Sequence, residues 1–483
     1  MSAVTFAGAR RSWRVEPVVV RVVGVAAMCG SVLGSWWVAV GAADGHYLLL
    51  LPTGTAPEWV DGPLRSFGLS LSAAGLSAAL VSLVGAYLVA LACAGQMGMR
   101  LVLVSVVLST VAFTLGPTIV STDVFGYIAY AREAALHGLN PYVSAPSAVP
   151  HDAVLPYVYW KAQTSPYGPL FTFLSVPLGL VSVGAALWTF KAVAGIAAVA
   201  LVCLVADLAR RRGLNPARAA VFVGLNPVLL VWAVSGAHND LLAVALVVLG
   251  FAFLARSREG LGAGLAVAAG AVKLTVGLAL PFVGLWARRR GGPASRSAVR
   301  GGALALLVLG VPTLAFVGPH VLDQLHRIAT DRQFDIAFSG PDRLAVALGG
   351  GIERFVRAAS TGGFIAVAVW MLVRVRAGAD PIAAAGWAFL ALICSIASLA
   401  PWYLVWLLPL AALGRSRRLA PVALVATLYL VAVHVPAFGG QPWLSPAGRG
   451  ARAVGARTTA PSRAPRARDG PRAPSSLRTQ GVR

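Results

Sequence analysis

Charge is what this chain has least of. Only 12% of its 483 residues are Asp, Glu, Lys or Arg, roughly half of what a soluble domain uses to cover its surface. A soluble globular fold is thereby excluded. Acids are the rarer sign, 17 against 40 Lys and Arg, so each acid is informative about proton chemistry. Cysteine is almost missing. Cys29, Cys93, Cys203 and Cys394 all fall within apolar runs and form no CxxC pair. They read as small core residues, and neither a disulfide framework nor a zinc site is expected. The sequence also lacks a P-loop, a Gly-x-Gly-x-x-Gly after a strand, an HExxH and a GxSxG, so no cofactor is expected.

What the chain has is apolar length. Hydrophobic residues make up 58% of it and the mean hydropathy is +0.77. Runs of about 20 residues, each long enough to cross a bilayer, recur along the chain. This predicts an all-α, polytopic membrane helix bundle. The run from Val22 to Ala43 exceeds a signal-peptide core and reads as an uncleaved first span. The organisation read from composition is a cytoplasmic N-terminus (1–21), a transmembrane domain (22–437) and a basic tail (438–483). That tail is rich in Pro, Ala and Arg and is predicted to be disordered.

The net charge of +23 would suit a nucleic-acid binder, but its distribution argues against such a partner. Arg210, Arg211, Arg212, then Arg288, Arg289, Arg290, then Arg415, Arg417 and Arg418 cluster in short loops between apolar runs. Cytoplasmic loops look like this under the positive-inside rule. Two segments then decide the parity. Pro169 to Val183 is read as re-entrant or interfacial, so that Asp123 and Asp152 fall on the face opposite Arg210. Gly260 to Trp286 is basic at both ends, and is read as two half-helices meeting near Lys273. About thirteen spans result. Asp123, His238-Asn239-Asp240, Lys273, the loop from His320 to Arg343 and Pro401-Trp402-Tyr403 then all face outside.

These outer polar residues are where chemistry can sit. The stretch STDVFGYIAYAREAALHGLNPYV (121–143) predicts an amphipathic helix starting at Asp123 and lying at the outer membrane surface. Asp123, Tyr127, Tyr130, Ala134 and His137 share one face, and Phe125, Ile128, Ala129 and Leu136 share the other. Arg132 on the apolar side is expected to contact the bundle or a headgroup. An acid at a membrane boundary is expected to have a reason, although Ser121, Thr122 and Asp123 are all good N-cap types. Asn239 and Asp240 can likewise cap the next helix or bind a hydroxyl. Lys273 can snorkel to the interface or meet an anion. Tyr142, Tyr167, Trp402 and Tyr403 suit interfacial anchors and also sugar-stacking platforms. One His with one Asp falls short of a metal site.

The ordered set TDVFGYIAYAREAALHGLNPY, SPYGPLF (165–171), NPVLLVWAVSGAHND (226–240), AVKLTVGLALPF (271–282) and APWYLVWLLPL (400–410) resembles a known group. These are the actinobacterial polyprenyl-phosphomannose-dependent α-1,6-mannosyltransferases of lipomannan synthesis, integral-membrane enzymes of the GT-C class. The resemblance spans Leu101 to Pro436, with one departure. The family's acid more usually precedes an aromatic and a small residue such as Ser, where this chain has Phe125 and Gly126. The resemblance implies an inverting transferase on the extracytoplasmic face of the cell membrane. Its donor would be a polyprenyl-phosphate-linked sugar, with mannose the expected sugar and no nucleotide, and its acceptor a lipid-linked mannan-type glycan. Asp123 would be the general base and Lys273 the partner of the donor phosphate. Tyr127, Tyr130, Asn140, Tyr142, Tyr167, His238, Asn239, Asp240, Trp402 and Tyr403 would bind sugar or acceptor, with membrane lipids around them. A flippase or other transporter of lipid-linked sugars explains the spans and the outer polar residues equally well, but needs no base. The two halves do not repeat a pattern of Gly/Pro-broken spans, as secondary transporters often do.

Overall fold

The computed structural model of the chain describes residues 16–43, 57–69, 71–119, 121–323, 339–349, 352–396 and 399–435. The predicted tail and most of the loop from His320 to Arg343 lie outside these residues. Regular structure among the described residues is helical throughout.

Helix α1 (Pro17–Ala42) packs on α2 (Ala73–Cys93) and α3 (Met99–Leu115). Next come α4 (Asp123–His137) and α5 (Pro169–Ser175), which continues as a 3-10 turn over Val176–Leu180. The long α6 (Val183–Arg211) packs against α3, α7 (Pro216–Gly224) and α8 (Asp240–Ala255). Between α7 and α8 the chain bends by 47° into a π-helical segment, Val228–Val234. Helix α9 (Glu259–Val272) lies between α8 and α11 (Gly292–Phe316), with α10 (Leu280–Arg289) in between along the chain. Helices α12 (Gly340–Ala347), α13 (Glu353–Arg376), α14 (Pro381–Ser395), α15 (Leu408–Leu413) and α16 (Leu419–His434) complete the bundle.

Among the described residues, five helices are long and apolar enough to cross a membrane, or six if the bent pair around Asn226-Pro227 counts as one span. Other apolar helices run only 10–17 residues. Several begin at a proline, Pro169, Pro381 and Pro401, whose missing N–H cannot continue a preceding helix. On α11 the side chains of Val299, Leu304, Leu307, Val308, Leu314 and Phe316 are exposed, an apolar face suited to lipid contact. The chain is a polytopic membrane helix bundle.

The segment from Gly260 to Trp286 reverses on itself. Lys273 breaks the helix with an extended backbone (φ −147°, ψ 114°), the 3-10 turn Leu274–Ala279 follows, and α10 returns. At the far end Arg290 Nη1 lies 3.4 Å from Glu259 Oε1 and donates to Ser257 Oγ at 2.8 Å. The two basic ends therefore meet, as the half-helix reading expects. The other arginine clusters gather at this same end. Arg211 and Arg256 share Asp207, Arg212 pairs with Asp380 through two 2.8 Å bonds, and Arg415 Nη2 donates to the Arg212 carbonyl. The α5 segment, with its 3-10 extension, is too short for a crossing of about 30 Å and packs on α4.

Two expectations are corrected. Helix α4 starts at Asp123 as read, but it does not lie with one face on lipid. Phe125, Tyr127, Ile128, Ala129 and Tyr130 are all buried, and only its C-terminal turn, at Leu136 and His137, is exposed. Segments 140–168 and 169–180 and helix α6 enclose it, and period alone cannot report that cover. Of the cysteines only Cys93 is buried. Cys29, Cys203 and Cys394 face outward, because a lipid-facing position is as apolar as a core one.

Candidate active site

Helix α8 places Asp240 roughly 22 Å from its arginine-bearing end, at about 1.5 Å per residue. Lys273 lies at the corresponding end of α9. The residues quoted from five separate motifs meet there.

The stretch from Ser235 to Asp240 is shaped by the π-helical segment before it, a feature often found at functional sites. The Ser235 N–H reaches back five residues to the Leu230 carbonyl at 3.2 Å. Ala237 then takes a left-handed backbone, φ 54°, a conformation costly for a residue with a Cβ. Gly236 is required because a Cβ there would lie 2.6 Å from Nε2 of His238. So folded, His238 stacks flat on Trp402, with centroids 3.9 Å apart and planes at 17°. Its Nδ1 lies 3.6 Å from Oδ2 of Asp123. Burial, reinforced by Lys273, holds the imidazole well below its usual pKa, so it is neutral.

Asp240 is bound on both oxygens. Lys273 Nζ approaches them at 2.7 and 2.8 Å, and the Trp406 indole N–H donates to Oδ1 at 2.6 Å. Lys273 also sits over the rings of Tyr403 and Trp406, at 5.2 and 5.6 Å from their centroids, and these two rings stack on each other. The lysine is therefore not snorkelling. Gly168 of the SPYGP motif lets that loop rest on the hairpin tip, because its N–H donates to the Val272 carbonyl and a Cβ would collide with the backbone of Ala271.

Asp123 differs from Asp240. Its helix is preceded by Thr122 in the N-cap position, with no side-chain cap, while Ser121 Oγ accepts the Asp123 N–H at 3.2 Å. The carboxylate thus does not cap the helix. Burial pushes it up to about 6, with Lys273 pulling against that and Asp240 adding to it. Asn239 does not cap α8 either. Among the described residues, both amide atoms of Asn239 and both ring nitrogens of His238 are buried without a hydrogen-bond partner. Unpaired buried polar atoms require an explanation, and a polyhydroxyl ligand fits this set.

The remaining predicted residues divide. Tyr127 lies edge-on to Tyr167, Phe171 and Phe190, with its hydroxyl near the Asn239 backbone, and so borders the site. Tyr130 donates to the Gln163 carbonyl at 2.9 Å. Tyr142 bonds to the Tyr167 carbonyl and to Thr172 Oγ1. Asn140 bonds to the Val317 carbonyl and accepts from the Tyr142 N–H. These three hold the loop over α4. Arg132 pairs with Asp152 at 2.8 Å, and His137 meets the same acid. Burial works against the Asp152 carboxylate, but the Val154 N–H, Arg132 and His137 hold it below its usual range. Arg132 thus fixes protein and not a headgroup.

Comparison with known proteins decides the class. A family profile described as "Alpha-(1->6)-mannopyranosyltransferase, N-terminal domain" matches residues 21–289, more than half of the chain. The chain belongs to this family. A second profile, "MptB C-terminal domain", matches residues 346–454, reaching into the segment read from composition as a tail. Among curated relatives, Alpha-(1->6)-mannopyranosyltransferase A of Mycobacterium tuberculosis is 30% identical over 67% of this chain and 68% of its own length. The protein of that name from Corynebacterium glutamicum is 30% identical over 34% of each chain. No solved structure matches the chain.

This mannopyranosyltransferase-family chain is thus a membrane-embedded glycosyltransferase. Its residues most easily overlooked in the sequence are Trp406 and Lys191. Trp406 follows Trp402 and Tyr403 at helical spacing in PWYLVW, a signal that was available. Lys191 stands alone among apolar residues of α6, where only its rarity marks it.

Proposed function

We propose that the chain transfers mannose from a polyprenyl-phosphate-linked donor to a lipid-linked mannan-type acceptor, with inversion. The face bearing Asp123 is extracytoplasmic and the arginine-rich end cytoplasmic. With the hairpin α9–α10 counted as two, about thirteen crossings result. Asp123 takes the proton of the acceptor hydroxyl as that oxygen attacks the anomeric carbon. Lys273, at the hairpin tip, meets the departing phosphate. His238 and Asn239 bind sugar hydroxyls, and the ring faces of Trp402 and Tyr403 support the glycan, with Tyr127 and Tyr167 behind the base.

The observation that carries this reading is the contrast between the two acids. Asp240 is committed to Lys273 and Trp406, whereas Asp123 pairs with no cation among the described residues and is poised near 6. A base suited to neutral pH has such a value.

The test is product formation by purified protein in detergent, where transport has no meaning, from radiolabelled polyprenyl-phosphomannose and a mannoside acceptor. Label should appear in the lengthened acceptor. Donor binding with no labelled product would favour the flippase reading.

A further inference from the structure

Lys191 is fully buried in α6. Its Nζ donates to three backbone carbonyls: Ser235 at 2.8 Å, Phe113 at 3.1 Å and Pro117 at 3.4 Å. A lysine amine offers at most three N–H donors, and three carbonyls lie within reach of this one. Two of the acceptors close helical segments. Phe113 lies in the last turn of α3, and Ser235 directly follows the π-helical segment. Carbonyls at helix C-termini lack intrahelical donors and favour a cation. A second residue ties the same two chain segments. Ser235 Oγ donates to the Pro117 carbonyl at 3.2 Å and accepts the Ile119 N–H at 2.7 Å.

The two segments so joined are those that present the site. Ile119 lies four residues before Asp123, and Ser235 lies three before His238 and five before Asp240. We infer that Lys191 and Ser235 form a staple that positions Asp123 against His238 and the Asp240–Lys273 pair, making both of them positioning residues for transfer. The claim rests on Asp123 being the base. The staple acts at a distance from substrate, through the backbone on both sides of the reacting groups. Removing it lets the two segments shift independently. A displacement near 1 Å at a reacting group lowers turnover by up to about 100-fold.

The test uses Ser235→Ala, Lys191→Met and Lys191→Arg in the full chain, with kcat and donor KM measured per folded molecule. Ser235→Ala deletes only a hydroxyl, so it serves even if the lysine variants fail to fold. The expected result is a kcat lower by about 10- to 100-fold, with donor KM within about two-fold, and an acid limb of the pH profile displaced from that of the unmodified protein. In an Asp123→Asn background, Ser235→Ala should cause a smaller further loss, because the part of its effect that passes through Asp123 is already gone. A merely structural role would lower the yield of folded protein and leave kcat and the acid limb where they were. Normal kcat in folded Ser235→Ala would overturn the staple, as would an equal fold-loss in both backgrounds. Asp123→Asn alone separates the two claims. If it is inactive while the staple variants turn over normally, the staple alone is wrong. If it is active, the base assignment fails and the staple falls with it.

Discussion

Asp123 and Asp240 lie at the same end of the bundle with opposite chemistry, and the difference comes from their neighbours. Lys273 and Trp406 hold both oxygens of Asp240. Asp123 meets only the edge of a neutral imidazole, and burial raises it to about 6. Two outcomes follow from that value. A base must be deprotonated, so kcat/KM should fall as pH drops through about 6; an acid limb near 4 would contradict the buried setting described here. Stability has its own sign. A carboxyl with a higher pKa folded than unfolded adds stability below pH 4, which is lost as pH rises through 6. Asp123→Asn should therefore be at least as stable as the parent at pH 7, with the difference in Tm shrinking towards pH 4. Lys273 requires a paired test. Lys273→Gln strands the fully buried Asp240, and breaking a buried pair costs about 3–5 kcal/mol, so lost activity alone would be ambiguous. Lys273→Gln with Asp240→Asn should recover the melting temperature. Donor use should stay depressed by about 2–4 kcal/mol in kcat/KM if the lysine serves the phosphate. Recovered transfer in the double variant would reduce Lys273 to a partner of Asp240.

At the scale of elements, the hairpin α9–α10 brings Glu259 and Arg290 together and leaves Lys273 at the other end. With the arginine end cytoplasmic, a cysteine at 289 should resist an impermeant thiol reagent added from outside, whereas one at 151 should react. External labelling at 289 would reverse the assigned orientation. The hairpin was legible because charge at both ends of a 27-residue segment conflicts with a single crossing. The start of α4 was legible from the cap-type residues Ser121, Thr122 and Asp123 where an apolar run ends. Its burial was not, because the covering segments hold it through distant bonds such as Tyr142 to Thr172 and Asn140 to Val317. Capping and catalysis were indistinguishable for Asp123 and Asn239, since both use the same residue types. Side-chain placement shows only that neither caps its helix.

For the whole molecule, the bundle keeps basic, hydrogen-bonded loops at one end and acids, aromatics and unpaired polar atoms at the other, with lipid-facing helices such as α11 around them. A lipid-linked donor can reach such a site from the bilayer without a nucleotide-binding domain. The central claim is that this end performs glycosyl transfer through Asp123, and a single-turnover assay on Asp123→Asn tests it most directly. Asn keeps the size of the side chain and removes its basicity. With a normal melting curve and normal donor binding, transfer should fall by about two to four orders of magnitude. Near-normal transfer by the folded variant would contradict the account.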